Sequence, residues 1–191
     1  MKVYFTASAR GKNQYSVQYK QIFEKITDLG HTHLDEFLFE VDEENLYDGA
    51  HEDQVRLYEK AMHLIKSSDV VILEVSIHSL SMGYVLHKAL ETGKPVIALF
   101  LKGNEPYFAL GIDNDKLQVV EYEVDNLKDR LSEALDYSQD QMDTRFNFFI
   151  SPKHQNYLDW ISKEKKIPRA VFLRDLIERE MEADDDFNAK N

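Results

Sequence analysis

The feature that most constrains the fold of this 191-residue chain is a continuous apolar run near its middle. Residues 69–75 read Asp-Val-Val-Ile-Leu-Glu-Val, with apolar side chains at consecutive rather than alternate positions. A strand with one face in water would alternate apolar and polar residues, so this run predicts a strand that is covered on both faces. Such strands belong to parallel sheets, because the helices that connect parallel strands pack on both sides of the sheet.

The flanking sequence predicts further strands and helices in alternation. Short apolar runs predict four more strands, at residues 2–6, 33–39, 95–101 and 116–122. Apolar side chains at helical spacing predict helices at residues 15–29, 52–66, 80–92 and 127–137. The fold class predicted for residues 1–137 is therefore α/β, with an open, mostly parallel, five-stranded sheet that is covered on both faces.

The distribution of charge marks a boundary after this region. Residues 144–191 carry nine basic and nine acidic side chains, so the whole net charge of −12 lies in the first 143 residues. We expect residues 138–143 to be a polar linker, residues 144–182 a second module, and residues 183–191 a disordered acidic tail. The acidity of the first region argues against a nucleic-acid partner for it, because phosphate contacts require clustered Lys and Arg.

Composition excludes several classes of chemistry. The sequence contains no cysteine, which excludes thiol nucleophiles, disulfides and thiolate metal sites. No apolar run approaches the roughly 18 residues of a membrane span. Residues 1–5 read directly into a strand, without the pattern of a secretory signal. We therefore expect a cytoplasmic location and no membrane partner.

Two loops of the predicted sheet are suited to anion binding. In open parallel sheets, ligands bind beyond the carboxyl ends of the strands, where helix N-termini offer backbone N–H groups. Residues 6–12 form a small-residue loop that also carries Arg10 and Lys12, and residues 76–83 contain Ser79 and Ser81. The alternative interpretation is that the first loop is only a tight connection and that the serines only cap a helix.

Three segments resemble the nucleoside deoxyribosyltransferase superfamily, and in particular its 2'-deoxynucleoside 5'-phosphate N-hydrolases. Residues 3–11, VYFTASARG, resemble the family's VYF-x-G-S-I-R-G opening. Residues 68–75, SDVVILEV, resemble its ADVVVAEV strand, and residues 79–84, SLSMGY, resemble its S-L-G-x-G-Y-E turn. The resemblance spans about residues 2–137 and implies a Rossmann-like or flavodoxin-like sheet that binds a nucleotide or nucleoside phosphate.

The resemblance also implies which residues contact the ligand. They are Tyr4, Ser8, Ala9, Arg10, Gly11, Ser79, Met82 and Gly83. The first five would border the nucleoside, and Ser79 would contact the 5'-phosphate together with nearby backbone N–H groups. Departures from the family pattern at Ala7, Ala9 and Ser81 would reshape the pocket.

The two carboxylates of the family's reaction are missing at the corresponding positions. In the family, a glutamate directly after the Gly-Tyr pair attacks the anomeric carbon of the sugar, and an aspartate on the preceding helix assists. This chain has Val85 at the first position and Ala61 at the second. Neither side chain ionises, so we expect the chain to bind a nucleotide without cleaving it. The alternative is an N-glycosidase that uses another carboxylate, such as Glu74 or one from a partner subunit.

No metal site and no cofactor are predicted. His78 and His87 flank the second loop, but no pair of histidines has the H-E-x-x-H spacing that places two imidazoles on one helical face. The acidic segment of residues 40–53 lacks the ligand pattern of a calcium loop, so we expect a solvated lid there.

The second module is predicted to contain a strand, a helix, a turn and a second helix. Phe146, Phe148 and Ile150 alternate as in a strand, and Pro168 suits the first position of the second helix. About 40 residues are too few to bury a core alone, so we expect the module to pair chains into a homodimer or a higher even oligomer. The order of elements resembles the ribbon-helix-helix family of the Arc and MetJ repressors, whose paired strands enter the DNA major groove.

This second resemblance implies that DNA is a partner as well. Arg145, Asn147 and Phe149 would face the bases, and Arg169 would clamp a phosphate. Acidic side chains on the same helices leave dimerisation without DNA binding as an equal alternative. Three functions therefore stay open: a nucleotide-sensing regulator, an enzyme with a non-standard carboxylate, and a structural assembly protein.

Overall fold

The computed structural model describes residues 1–40, 51–140 and 148–185. The chain divides into two compact units, Met1–Asp143 and Thr144–Asn191. The described part of the first unit forms the strands β1 (Lys2–Ala7), β2 (Thr32–His33), β3 (Val70–Glu74), β4 (Val96–Leu101) and β5 (Leu117–Tyr122). Its helices are α1 (Lys12–Asp28), α2 (Phe37–Glu40), α3 (His51–Ser67), α4 (Leu80–Glu91), α5 (Tyr107–Leu110) and α6 (Leu127–Asp140).

The five strands form one sheet in the order β2-β1-β3-β4-β5, and every pair in it is parallel. The predicted α/β class with a five-stranded parallel sheet is therefore confirmed. All of β3 is buried, which is the reason for the uninterrupted apolar run in the sequence. Val70 and Ile72 pack on the face that α1 and α6 cover, whereas Val71 and Leu73 pack on the face that α3 and α4 cover.

The second strand is much shorter than the sequence predicted. Residues 33–39 were expected to be extended, but β2 ends at His33 and residues 37–40 form the short helix α2. The Phe39 ring meets the Phe23 ring edge-on, with 5.0 Å between the centroids, so helical geometry buries this apolar segment against α1. The shortening leaves Asp35 in a connection at the carboxyl edge of the sheet.

Helix α6 continues past the predicted start of the linker. The sequence placed that start at residue 138, whereas α6 ends at Asp140. Ser138 is fully buried, and the Gln118 side chain on β5 donates to the Ala134 carbonyl at 2.8 Å and to the Ser138 hydroxyl at 3.0 Å. These hydrogen bonds offset the polarity that made residues 138–140 look like a linker; residues 141–143 lie outside the described residues.

The second unit contains the helices α7 (Pro152–Glu164) and α8 (Arg169–Ala183). Ser151 caps α7 by accepting from the His154 N–H, and Pro168 precedes α8 rather than starting it. Leu158 and Ile161 of α7 are buried, while no residue of α8 is. Residues 148–150 are not in a strand, and the rest of the predicted ribbon, at residues 144–147, lies outside the described part of the chain. The same holds for residues 186–191 of the expected tail.

The helices formed by residues 1–40, 51–140 and 148–185 include none that is long and apolar enough to cross a bilayer.

Candidate functional site

The connection between β1 and α1 is a tightly packed turn at the carboxyl edge of the sheet. The Ser8 carbonyl accepts hydrogen bonds from the Gly11 N–H at 2.9 Å and from the Tyr19 hydroxyl at 3.3 Å. Gly11 is buried, and a Cβ added to it would lie 2.1 Å from the Tyr19 hydroxyl oxygen. Ala9 is half-buried and Arg10 is exposed. Arg10 in the middle of the turn is therefore exposed to solvent, while Tyr19 contacts the two ends of the turn, at Ser8 and Gly11.

The connection between β3 and α4 leads to a helix N-terminus that has no side-chain cap. Ser79 is the N-cap residue of α4, with extended backbone (φ −137°, ψ 130°), but its side chain makes no capping hydrogen bond. The N–H groups of the first turn therefore lack the partner that a capping serine supplies. Gly83, whose N–H donates to the Ser79 carbonyl at 3.0 Å, has no atom within 4 Å of where a Cβ would stand.

The structure brings Tyr4, Met82 and Val85 together in one buried cluster on the face covered by α3 and α4. Burial is the main cause that raises the pKa of Tyr4 to about 12, so its phenol is neutral at physiological pH. Val85 is buried in this cluster, and Ala61 is half-buried on α3. Neither position offers a group that could attack a sugar.

Asp35 and Lys60 form an ion pair beside this cluster that sequence reasoning missed. Lys60 Nζ lies 2.9 Å from Asp35 Oδ1, and the Asp35 side chain is 18% exposed. The charge of Asp35 also contributes to the raised pKa of Tyr4, which places the carboxylate near that ring. The sequence did not indicate this ion pair, because residue 35 was expected to lie inside the predicted strand of residues 33–39. Its true position follows a short strand at the edge where ligands bind in such sheets.

Glu74 lies on the other face of the sheet and is 0% exposed. Side chains alternate along β3, so Glu74 shares the face of Val70 and Ile72. Its Oε1 accepts from the Tyr122 hydroxyl at 3.2 Å and from the Ser76 hydroxyl. Burial raises the pKa of Glu74 to about 7, while hydrogen bonds from the Ser76 side chain, the Tyr122 side chain and the Ser76 backbone oppose that rise. This placement does not favour direct attack on a sugar bound beside Tyr4.

The structure describes two of the four residues expected to bind DNA. Arg145 and Asn147 lie outside the described residues, Phe149 is fully exposed, and Arg169 forms an ion pair with Asp159 of α7. Within the described ranges, no group of three or more His, Asp or Glu side chains could hold a metal ion.

The parallel sheet with helices on both faces, and with two loops and a helix N-terminus at its carboxyl edge, defines an α/β protein of the open-sheet class. No family model matches the chain. A 2'-deoxynucleoside 5'-phosphate N-hydrolase 1 of Syntrophotalea carbinolica is 32% identical over 143 residues, which cover 70% of this chain and 96% of that protein. This chain belongs to the 2'-deoxynucleoside 5'-phosphate N-hydrolase family, within the nucleoside deoxyribosyltransferase-like superfamily.

Other relatives have related names. A protein of Thermofilum pendens with the same name is 31% identical over 73% of this chain and 99% of its own length. The 5-hydroxymethyl-dUMP N-hydrolase of Rattus norvegicus is 30% identical over 69% of this chain and 85% of its own length. The structure of Clostridium botulinum CMP N-glycosidase, BcmB, aligns with 71% of this chain and 98% of its own, at 17% identity and a TM-score of 0.47. The ribbon-helix-helix prediction receives no support from these comparisons.

Proposed function

We propose that the first unit binds a 2'-deoxynucleoside 5'-monophosphate at the carboxyl edge of its sheet. The observation that carries this proposal is the uncapped start of α4, where the Ser79 hydroxyl makes no capping hydrogen bond. The first N–H groups of a helix have no partner within the helix, and together with the helix dipole they favour a phosphate at such a position. The names of the relatives support the choice of ligand.

The nucleoside would lie between this helix start and the turn that follows β1. Tyr4 offers a neutral ring on the same face of the sheet, and the exposed Arg10 offers a cation to the phosphate. Ser8, Ala9 and Gly11 would border the sugar and base through a backbone that Tyr19 holds in place.

Calorimetric titration with dUMP, dCMP, dAMP and dGMP, and with the four deoxynucleosides, tests the binding site. We expect Ser79→Ala to weaken monophosphate binding by about 10- to 100-fold, the effect of losing a hydrogen bond to a charged group. Binding of the nucleosides should change little. Ser81→Ala is the control, because Ser81 is exposed in the same helical turn and alanine keeps its N–H. If no nucleotide binds at millimolar concentration, the proposal is wrong.

Hydrolysis of the bond between base and sugar is a second candidate function, and the names of the relatives favour it over an inactive protein. Val85 and Ala61 favour inactivity, because neither can supply a carboxylate. A reaction would therefore need another acid. The sequence suggested Glu74, but Asp35 is the partly exposed carboxylate near Tyr4.

Chromatographic detection of free base after incubation with deoxynucleoside monophosphates tests this second candidate. An active enzyme releases base, and Asp35→Asn should abolish the release if Asp35 is the acid. Glu74→Gln tests the other carboxylate, and Glu121→Gln is a control because Glu121 is exposed on β5. Tight binding without any release would support the inactive protein instead.

For the second unit, we propose that it pairs two chains, because α8 has no buried residue and exposes Ile177 and Met181. DNA binding stays a prediction for this unit. A duplex should bind more weakly as salt is added and after Arg145→Ala, whereas a module that only dimerises shows no DNA binding.

A further inference from the structure

A buried polar network connects Glu74, at the end of β3, to the ends of β4 and β5. Glu74 stands opposite Ala7 in the register of β3 with β1, directly before the turn that begins at Ser8. Its Oε1 accepts from Tyr122 at the end of β5 and from Ser76. The Ser76 hydroxyl oxygen in turn accepts from the Leu101 N–H at the end of β4, at 2.8 Å. One carboxyl group therefore links the ends of β3, β4 and β5.

The side chain that contacts the β1–α1 turn is buried on the same face of the sheet as Glu74. Tyr19 is buried, donates to the Ser8 carbonyl, and leaves no room for a side chain at Gly11. Burial is the main cause that raises the pKa of Tyr19, and the negative charge of an ionised Glu74 raises it further. Glu74 also pairs in register with Ala7, directly before the turn, so a change at Glu74 can reach the turn through β1 as well as through Tyr19.

No cation among the described residues contributes to the pKa of Glu74, which depends on burial, Ser76 and Tyr122. Tyr122 of β5 and Ser76 donate to its carboxyl group, and the charge of Glu74 acts on Tyr19 of α1. Tyr15 of α1 lies beside Tyr19, with 6.4 Å between the ring centroids. Helix α6 contributes apolar side chains to this face, including Leu131 and Leu135. The second carboxyl oxygen, Oε2, is buried and has no hydrogen-bond partner in the described structure.

We propose that Glu74 is a positioning residue for the nucleotide site: its neutral form keeps the turn of residues 8–11 in place, and its ionisation weakens the binding of a nucleoside monophosphate. The inference rests on the proposed nucleotide site. An ionised Glu74 would be a charge in a dry interior whose Oε2 has no hydrogen-bond partner in the described structure, and the cost of that charge favours displacement of the elements packed around it. Glu74 acts through Tyr19 and the strand ends and does not touch the ligand.

The inference predicts a particular pH dependence of binding. The pKa of Glu74 in the free protein is about 7, so above pH 7 nucleotide binding must take up a proton. The dissociation constant should then rise by up to tenfold for each pH unit between pH 7 and 9. A phosphate monoester has its second pKa near 6, so the phosphate group of the ligand stays close to dianionic over this range.

Calorimetry of the full chain with dUMP and dCMP at pH 7, 8 and 9 tests this dependence. Wild type should lose about 10- to 100-fold in affinity from pH 7 to 9 and should take up a proton on binding, measured in buffers of different ionisation enthalpy. Glu74→Gln should bind with a pH-independent affinity, and Glu121→Gln, an exposed carboxylate beside Tyr122, should behave as wild type. A Glu74→Gln variant with the wild-type pH dependence would overturn the inference.

Hydrogen exchange separates failure of this inference from failure of the nucleotide site. The Gly11 N–H is bonded to the Ser8 carbonyl in the free protein, so its exchange reports the turn without any ligand. After correction for the intrinsic effect of pH, its protection should fall at least threefold from pH 6 to 8 in wild type and stay constant in Glu74→Gln. If no nucleotide binds but this difference appears, the binding site is wrong and the positioning role of Glu74 stands. If the difference is absent, the positioning role is wrong.

Discussion

Gly11 is the residue of the candidate site that tolerates the least change. Its Cα packs against the Tyr19 hydroxyl and near Ile77, and a Cβ would lie 2.1 Å from the former and 3.1 Å from the latter. The backbone of Gly11 is right-handed (φ −82°), so the need for glycine comes from packing and not from backbone conformation. Close packing at this residue is what holds the turn next to β1.

We expect Gly11→Ala to lower the free energy of unfolding by about 1–3 kcal/mol, because the buried Tyr19 must move. Urea denaturation measures this loss, and Tyr19→Phe in the same chain should recover part of it by removing the clashing hydroxyl. The control is Gly83→Ala, which meets nothing within 4 Å and should stabilise its helix by about 0.5–1 kcal/mol. Equal effects of the two alanines would show that packing at Gly11 is unimportant.

Placing carboxylates at Val85 and Ala61 is the most direct test of the prediction that these two residues prevent catalysis. The variant Val85→Glu with Ala61→Asp should release base from a deoxynucleoside monophosphate faster than wild type. It should also unfold about 1–3 kcal/mol more easily, because Val85 is buried among apolar side chains. Chromatography and urea denaturation measure the two effects.

The amide variant Val85→Gln with Ala61→Asn is the control for this gain. It has nearly the same shape and should show no gain in base release, because an amide cannot act as a nucleophile or a general base here. A carboxylate variant that folds and binds nucleotide but releases no base would mean that more of the reaction site is missing than two side chains.

At the scale of elements, the last turn of α6 belongs to the fold and not to the predicted linker. We expect the fragment 1–143 to be more stable than the fragment 1–137 by about 1–3 kcal/mol. The shorter fragment loses the buried Ser138 and one of the two hydrogen bonds from Gln118. Thermal unfolding and urea denaturation of the two fragments measure the difference. Equal stability of the two fragments would show that residues 138–140 do not stabilise the fold and behave as a linker.

At the scale of the whole molecule, the surface of α8 predicts that two chains associate. We expect a dimer of the full chain by light scattering at micromolar concentration, because α7 and α8 bury too few apolar side chains to fold alone. Ile177→Gln, which changes an exposed apolar residue, should raise the dissociation constant of the dimer at least tenfold. Glu178→Gln is the control on the adjacent position, and a wild-type monomer would contradict the prediction.

Much of the architecture could be predicted because local patterns report burial. The run at residues 69–75 required a strand covered on both sides, and the small residues after β1 marked a loop suited to a ligand. The same method was wrong at β2, since an apolar segment of seven residues can be buried either as a strand or as a helical turn. It also could not see that Gln118 satisfies Ser138, because that bond joins different elements.

The candidate site depended more strongly on tertiary structure. Sequence by itself determined the α/β class, the family motifs and the absence of carboxylates at Val85 and Ala61, because each is a property of residues close together in the chain. Only the tertiary structure decided that Asp35 and Lys60 meet beside Tyr4, and that Glu74 is bonded to Tyr122, 48 positions away. Those contacts arise from the order in which the strands pair and from the face of the sheet on which each side chain lies, and periodicity within a segment specifies neither.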